Sequence, residues 1–305
     1  MALRTSLTST KLRLPLHLWG KSMEASLEKA KVSIIIPTFN SGETLEECLR
    51  SILGQDYPFY EVIIVDNFSN DGTLETARKF GARIIQRKCN PAQARNIGIA
   101  NSTGKYVLFL DSDQVLSQTV VEECVEKCEN EKIGMVIIPE VFTGKDFWSF
   151  CSAVWKNYYE EVERLYGRNR NIIQSKPRFF IKAQITSVGM LDTALLWGED
   201  YDLYERLKKA NVKEAECKSK IYHYELTSIQ KTLIKNLRYG KSMTSFLQQT
   251  TKQVFPLMLT HDLLTFREVF RNFEKCPAII TGCVVLLCLK TYSIMIGLLI
   301  GLISL

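Results

Sequence analysis

Hydrophobic positions fall into two regimes along this chain. Up to about residue 140 they gather in short apolar runs separated by stretches of helical periodicity. VSIIIPTFN (32–40), EVIIVD (61–66), ARIIQR (82–87) and YVLFLD (106–111) are bounded by turn-forming residues and predict strands, the continuous ones buried on both faces. Between them a helical stretch opens at Ser41, with Glu43, Glu46 and Glu47 in its first turns and Leu45, Leu49 and Ile52 on one face. Asn70-Asp71-Gly72-Thr73 predicts the cap of a second helix, Pro91 starts a third over 91–101, and Thr119–Cys128 form a fourth. MVIIPE (135–140) and RFFIKAQI (178–185) are further strand candidates. Beyond residue 225 the pattern is helical: Leu226, Ile229, Leu233 and Leu237 share a face, interleaved with Lys231, Lys235, Arg238 and Lys241. The last 29 residues, Pro277–Leu305, carry one charge, Lys290.

Alternating strand and helix imply an α/β domain with a largely parallel sheet, and such sheets bind ligands beyond the carboxyl ends of their strands. Asn40, Asp66 and the pair Asp111 and Asp113 fall at those ends. Read as one strand, YVLFLDSDQV places both aspartates on the same side. Two carboxylates together favour a hard divalent cation shared with phosphate oxygens, although acidic pairs after strands also serve as caps and turns.

Composition narrows the field. With 305 residues the chain can bury a sizeable core, and Lys plus Arg (39) exceed Asp plus Glu (33) by six, which suits anionic lipids or phosphorylated substrates. The sequence carries no signature of a nucleic-acid-binding module, and nucleic acid is not expected as a partner. Nine cysteines without a C-x-x-C pair imply reduced, mostly buried thiols. Residues 1–22 are basic, lack a signal-peptide core and predict a flexible arm, or an extension ahead of a start at Met23.

Four stretches, IIIPTFN, VIIVDNFSNDGT, ARNIGIANSTGKYVLFLDSD and VGMLDTALLWGEDYDLYERL, together resemble the family 2 glycosyltransferases with a GT-A fold, over about residues 31–225. The resemblance implies a Rossmann-like, largely parallel sheet flanked by helices and sugar transfer from a nucleotide-diphosphate donor with inversion. It places Thr38, Asn40 and Asp66 at the nucleotide, Arg95 near the donor phosphates, and Asp111 and Asp113 at the D-x-D position beside the ribose and a Mn²⁺ or Mg²⁺ ion. Asp200 would be the general base and Glu199 its support, with His223 reaching back to the cation. The family often has an acid where this chain has Gln114, which leaves metal number and donor preference open. Asp71 is read as a helix cap, and Phe142, Phe147, Trp148, Phe150, Trp155, Tyr158 and Tyr159 as core aromatics or an acceptor platform.

The tail adds a membrane. Pro277–Leu305 can span a bilayer, but Lys290 near its middle is expensive there, so two short interfacial or re-entrant helices are the alternative. Arg267, Arg271 and Lys275 before it predict a cytoplasmic catalytic domain. The sequence thus divides into a basic arm (1–30), a catalytic domain (31–225), a basic helical segment (226–276) and a membrane segment (277–305). The expected protein is a metal-dependent inverting glycosyltransferase, membrane-associated, with a nucleotide-sugar donor and a lipid-linked or other saccharide acceptor. A polyprenyl-phosphate sugar synthase and a non-catalytic membrane scaffold are the alternatives.

Overall fold

The computed structural model describes residues 30–170, 177–195, 198–225, 229–249 and 254–303, leaving the basic arm up to residue 29 and Leu226 outside the described residues. Residues from Lys31 onward belong to one compact unit.

The apolar runs form the expected strands: β1 (Val32–Thr38), β2 (Tyr60–Asp66), β3 (Arg83–Gln86) and β4 (Tyr106–Phe109). They lie in the order β3-β2-β1-β4, each pair parallel, with Val32–Thr38 in register with Tyr60–Asp66. The connecting helices are α1 (Leu45–Leu53), α2 (Thr73–Lys79) and α3 (Pro91–Asn101). The first begins at Leu45 rather than Ser41, because residues 42–44 make a turn, and it buries Leu45, Cys48, Leu49 and Ile52. At the start of α3, Asn90 and Gln93 form a reciprocal capping box ahead of Pro91. Gly98 lets α3 lie directly on Ile35 of β1, where a Cβ would collide with the Ile35 side chain.

The sheet continues through β8 (Pro177–Ile181), β6 (Met135–Ile137) and β9 (Glu214–Glu216). Only β8 runs against its neighbours. The strand expected over 178–185 stops at Ile181, which is paired with Tyr106, the first residue of β4. Lys182 N–H still donates to the Lys105 carbonyl (2.9 Å), and from there Lys182–Ser187 turn into a short helix, α6. A small second sheet joins β5 (Gln114–Leu116), β10 (Ile221–Tyr224) and β7 (Glu140–Thr143) in the order β5-β10-β7. The remaining helices of this part are α4 (Val120–Asn130), α5 (Phe147–Arg170) and α7 (Glu199–Lys209).

The C-terminal region is three helices, α8 (Ile229–Gln249), α9 (Val254–Phe273) and α10 (Pro277–Ile303). The apolar tail is one continuous helix over its 27 described residues, not two short ones. It buries Gly282, Cys283, Leu286, Ser293, Gly297 and Gly301, a stripe repeating every three or four residues, while Tyr292, Met295, Leu299 and Leu302 are exposed. Trp148, Trp155 and Tyr158 of α5 pack with Val269 and Phe273 of α9 and Cys283 and Leu286 of α10. These aromatics are therefore core between helices, and Phe142 stacks against His223 at 5.0 Å. This helix is long and apolar enough to cross a membrane.

Candidate functional site

The two aspartates do not share a strand. Pairing of β4 with β1 ends at Phe109, and Asp111–Asp113 form a tight turn into β5, closed by Gln114 N–H to the Asp111 carbonyl (3.1 Å) and Asp111 N–H to Gln114 Oε1 (2.9 Å). The turn separates their roles. Asp111 accepts from Arg95 Nη2 at 2.9 Å and Arg178 Nη1 at 3.2 Å, whereas Asp113 Oδ2 faces His223 Nε2 at 3.2 Å. Burial would raise the Asp111 carboxyl, but Arg178 and Arg95 hold it well below the usual carboxylate range.

His223 reaches this point because β10 pairs with β5, setting it opposite Gln114. Glu140, on the neighbouring β7, lies 3.3 Å from His223 Nδ1 and 2.6 Å from Arg178 Nε. Gln114 is fully buried, and its Nε2 donates to Glu140 Oε2 at 3.1 Å. A carboxylate in place of Gln114 would set a second negative charge against Glu140 instead of a donor. Burial opposes protonation of His223, but its hydrogen bonds to Asp113 and Glu140 raise it to about 9. Glu140, pulled down to about 2 against burial by Arg178 and His223, stays ionised.

Arg95, from α3, connects this turn to the second acidic motif. Besides Asp111, its Nη1 lies 3.3 Å from Glu199 Oε1 and 3.7 Å from Asp200 Oδ1. Arg95 is buried and its Nε lacks a hydrogen-bond partner, so the guanidinium retains a donor. Glu199 and Asp200 open α7 behind Gly198, whose φ of 81° favours glycine. Burial first, then the adjacent Asp200 carboxylate, pushes Glu199 up to about 7 against the pull of Arg95. A narrow cleft with Phe109, Phe180 and Leu203 on its walls is edged by Arg95, Arg178 and Asp200.

Thr38, Asn40 and Asp66 meet at the ends of β1 and β2. Asp66 is fully buried and accepts from Thr38 Oγ1 (2.9 Å), Ser69 N–H (2.9 Å), Ser69 Oγ (2.5 Å) and Gln86 Nε2 (3.3 Å). These four donors fill what a carboxylate can accept. Asn40, at φ 50°, accepts from Asn70 N–H at 3.0 Å and fastens the two loops together. Asp71 accepts from Thr73 N–H (3.3 Å) and Gly42 N–H (2.9 Å); the N-cap position itself is Gly72, so Asp71 ties the helix start to the loop after β1 from one residue before the cap.

Among the described residues no three acidic, histidine or cysteine side chains cluster as a metal cage. The donor set still fits a cation completed by phosphate oxygens: Asp113 and His223 converge, and Glu140 at Nδ1 turns Nε2 toward Asp113. Asp111, engaged by two arginines, is placed beside that pair rather than in it. Motif reading missed Arg178 and Glu140. The charged Arg178 inside the apolar run PRFFI and Glu140 at the end of MVIIP were the available signals.

Comparison with known proteins identifies the family and the fold. The family model described as "Glycosyl transferase family 2" matches residues 33–186, half of the chain. Glycosyltransferase AglE of Haloferax volcanii is 28% identical over 226 residues, 69% of this chain and 72% of its own. An uncharacterized glycosyltransferase of Rickettsia prowazekii is 26% identical over 263 residues, 81% of this chain and 82% of its own. The solved structure of a Pyrobaculum calidifontis mannosyltransferase in complex with GDP-Man and Mn²⁺ superposes with a TM-score of 0.54 and 18% identity, covering 93% of this chain and 92% of that one. It shares the GT-A fold.

Proposed function

This chain belongs to glycosyl transferase family 2, and on that premise we propose that it moves a sugar, with inversion, from a nucleotide-diphosphate donor to a hydroxyl of a lipid-linked saccharide. The observation that supports the reading is Arg95, whose guanidinium contacts Asp111, Glu199 and Asp200 together. Asp200 takes the proton of the attacking hydroxyl, a role worth about 10²- to 10⁴-fold in rate. Glu199 shares the negative charge of that base and holds Arg95 in place. Arg95 stabilises charge developing on the leaving diphosphate through donors that are already oriented.

Asp113 and His223 would hold a Mn²⁺ or Mg²⁺ ion, which when bound neutralises the leaving diphosphate. Thr38, Asn40 and Asp66 shape the nucleotide end of the cleft. The apolar α10 associates with a membrane, and Arg267, Arg271 and Lys275 just before it keep the catalytic unit on the cytoplasmic face.

The test is nucleoside diphosphate release by the full chain in detergent from UDP-, GDP- and dTDP-sugars, with membrane extract as acceptor. Mn²⁺- or Mg²⁺-dependent release from one donor, lost in Asp113→Ala, and a product of inverted anomeric configuration are expected. Folded protein that neither binds nor turns over any donor overturns the reading.

A further inference from the structure

Lys290 is an anomaly at the level of sequence, the single charge on a 27-residue apolar helix. Its surroundings give it a use. A cavity of about 290 Å³ lies beside Asp113 and His223, and Lys156 of α5, Lys235 of α8 and Lys290 of α10 all line it. Three elements distant in sequence thus bring their ammonium groups to one space. Of the three, Lys156 is paired with Glu225, a carboxylate that also accepts from Ser152 Oγ at 3.0 Å. Lys290 Nζ donates to the Ser152 hydroxyl at 3.4 Å and feels the Glu225 and Asp262 carboxylates, and Lys235 lies over the Tyr239 ring at 5.7 Å. Asn236 also lines the cavity, and its Nδ2 is buried without a hydrogen-bond partner.

Asp113 and Glu225 also line this space, but Glu225 is engaged by Lys156, and an anion seated beside Lys235 and Lys290 would meet their ammonium groups and give the buried Asn236 amide an acceptor. The donors here outnumber what the two oxygens of a carboxylate can serve and match the oxygens of a phosphate. We propose that this lysine cavity binds a phosphate group of the acceptor, so that the acceptor is a phosphorylated compound that enters between α5, α8 and α10. The proposal rests on reading the cleft as a transferase site. The same chemistry is offered by a lipid phosphate or by a water-soluble polyol phosphate. The apolar α10, which contributes Lys290, places either one next to a hydrophobic surface.

The experiment titrates the full chain, in neutral detergent with saturating UDP or GDP and Mn²⁺, with dodecyl phosphate, glycerol phosphate and dodecyl maltoside, following heat of binding and melting temperature. Both phosphates should bind and the neutral maltoside should not. Lys235→Met and Lys290→Met should each weaken phosphate binding by about tenfold or more, with Lys290→Arg restoring most of it. Tighter binding of dodecyl phosphate than of glycerol phosphate identifies a lipid source, and equal binding a soluble one. Nucleotide affinity should be unchanged in the variants. Phosphate affinity that ignores both substitutions, or a loss of nucleotide affinity in place of phosphate affinity, overturns the assignment. Lysine-dependent phosphate binding in a chain that binds no nucleotide would leave the cavity standing and sink the transferase reading instead.

Discussion

The Arg178 guanidinium lies 3.2 Å from Asp111 and 2.6 Å from Glu140, joining the turn after β4 to the small sheet that carries His223. Its side chain is 16% exposed and that of Glu140 14%. Removing one partner of a buried pair typically costs about 3–5 kcal/mol, and here Arg95, His223 and Gln114 remain to offset part of it. Arg178→Ala should therefore lower stability by about 3 kcal/mol in denaturant titration, and Arg178→Lys, which keeps the charge but loses the fork, by less. A change under about 0.5 kcal/mol for Arg178→Ala would contradict the linkage.

The four parallel strands and their helices were legible in the sequence because buried strands are long apolar runs and α3 is fenced by Asn90 and Pro91. The aspartate turn was not, since YVLFLDSDQV reads as one strand until the pairing of β4 with β1 is known to end at Phe109. Arg178 and Glu140 were hidden for a related reason. They belong to no local motif, and only the pairing of β8 with β4 and of β10 with β7 carries them to Asp111 and His223. The segment 182–187 suits a strand by its alternation, but the ladder with β4 ends at the pair of Ile181 and Tyr106 and the chain turns helical there.

Acid sensitivity should come from the Glu199–Asp200 pair. Burial and the neighbouring carboxylate push Glu199 up to about 7, so below that pH Glu199 takes up a proton and Arg95 loses an anionic partner at the phosphate-binding end of the site. The turnover number should fall about tenfold per pH unit on the acid side of 7. Glu199→Gln, which cannot titrate, should abolish that limb. The stability effect has the opposite sign. A carboxyl raised from 4.5 to about 7 binds its proton better in the folded chain, so this group's contribution is lost as pH rises through that window. An acid limb unmoved by Glu199→Gln would remove the pair from the mechanism.

Glu140 is expected to act through His223. By accepting at Nδ1 it fixes the imidazole with Nε2 toward Asp113, and loss of such a contact typically weakens a metal site by about 10- to 100-fold. Glu140→Gln should raise the Mn²⁺ concentration needed for half-maximal donor hydrolysis by that factor, with a much smaller effect on the turnover number at saturating Mn²⁺. Reduced turnover with unchanged Mn²⁺ requirement would assign Glu140 to Arg178 alone.

Asp66 offers a cleaner separation of structure from recognition. Its carboxylate accepts four hydrogen bonds from Thr38, Ser69 and Gln86, and an amide in its place would turn one acceptor into a donor facing donors. Asp66→Asn should destabilise the chain by about 1–3 kcal/mol even without nucleotide. If thermal unfolding of the free protein is unaffected while nucleotide affinity collapses, the carboxylate serves the base directly and the network is incidental.

The tail helix should prove inseparable from the chemistry. A Cβ on Gly297 would collide with the Leu237 carbonyl oxygen, and one on Gly240 with that of Ile294, so α8 and α10 touch backbone to backbone. That contact holds Lys290 and Lys235, one from each helix, at the same cavity beside Asp113. Overpacking such a contact costs about 1–3 kcal/mol and must spread the helices. Gly297→Val should therefore raise the acceptor KM several-fold while leaving donor hydrolysis without acceptor intact, because the donor end of the cleft is built on β1, β2 and β4. Greater protease sensitivity of α10 should accompany the change. A variant with wild-type acceptor KM despite a loosened α10 would show that the helix serves only as an attachment.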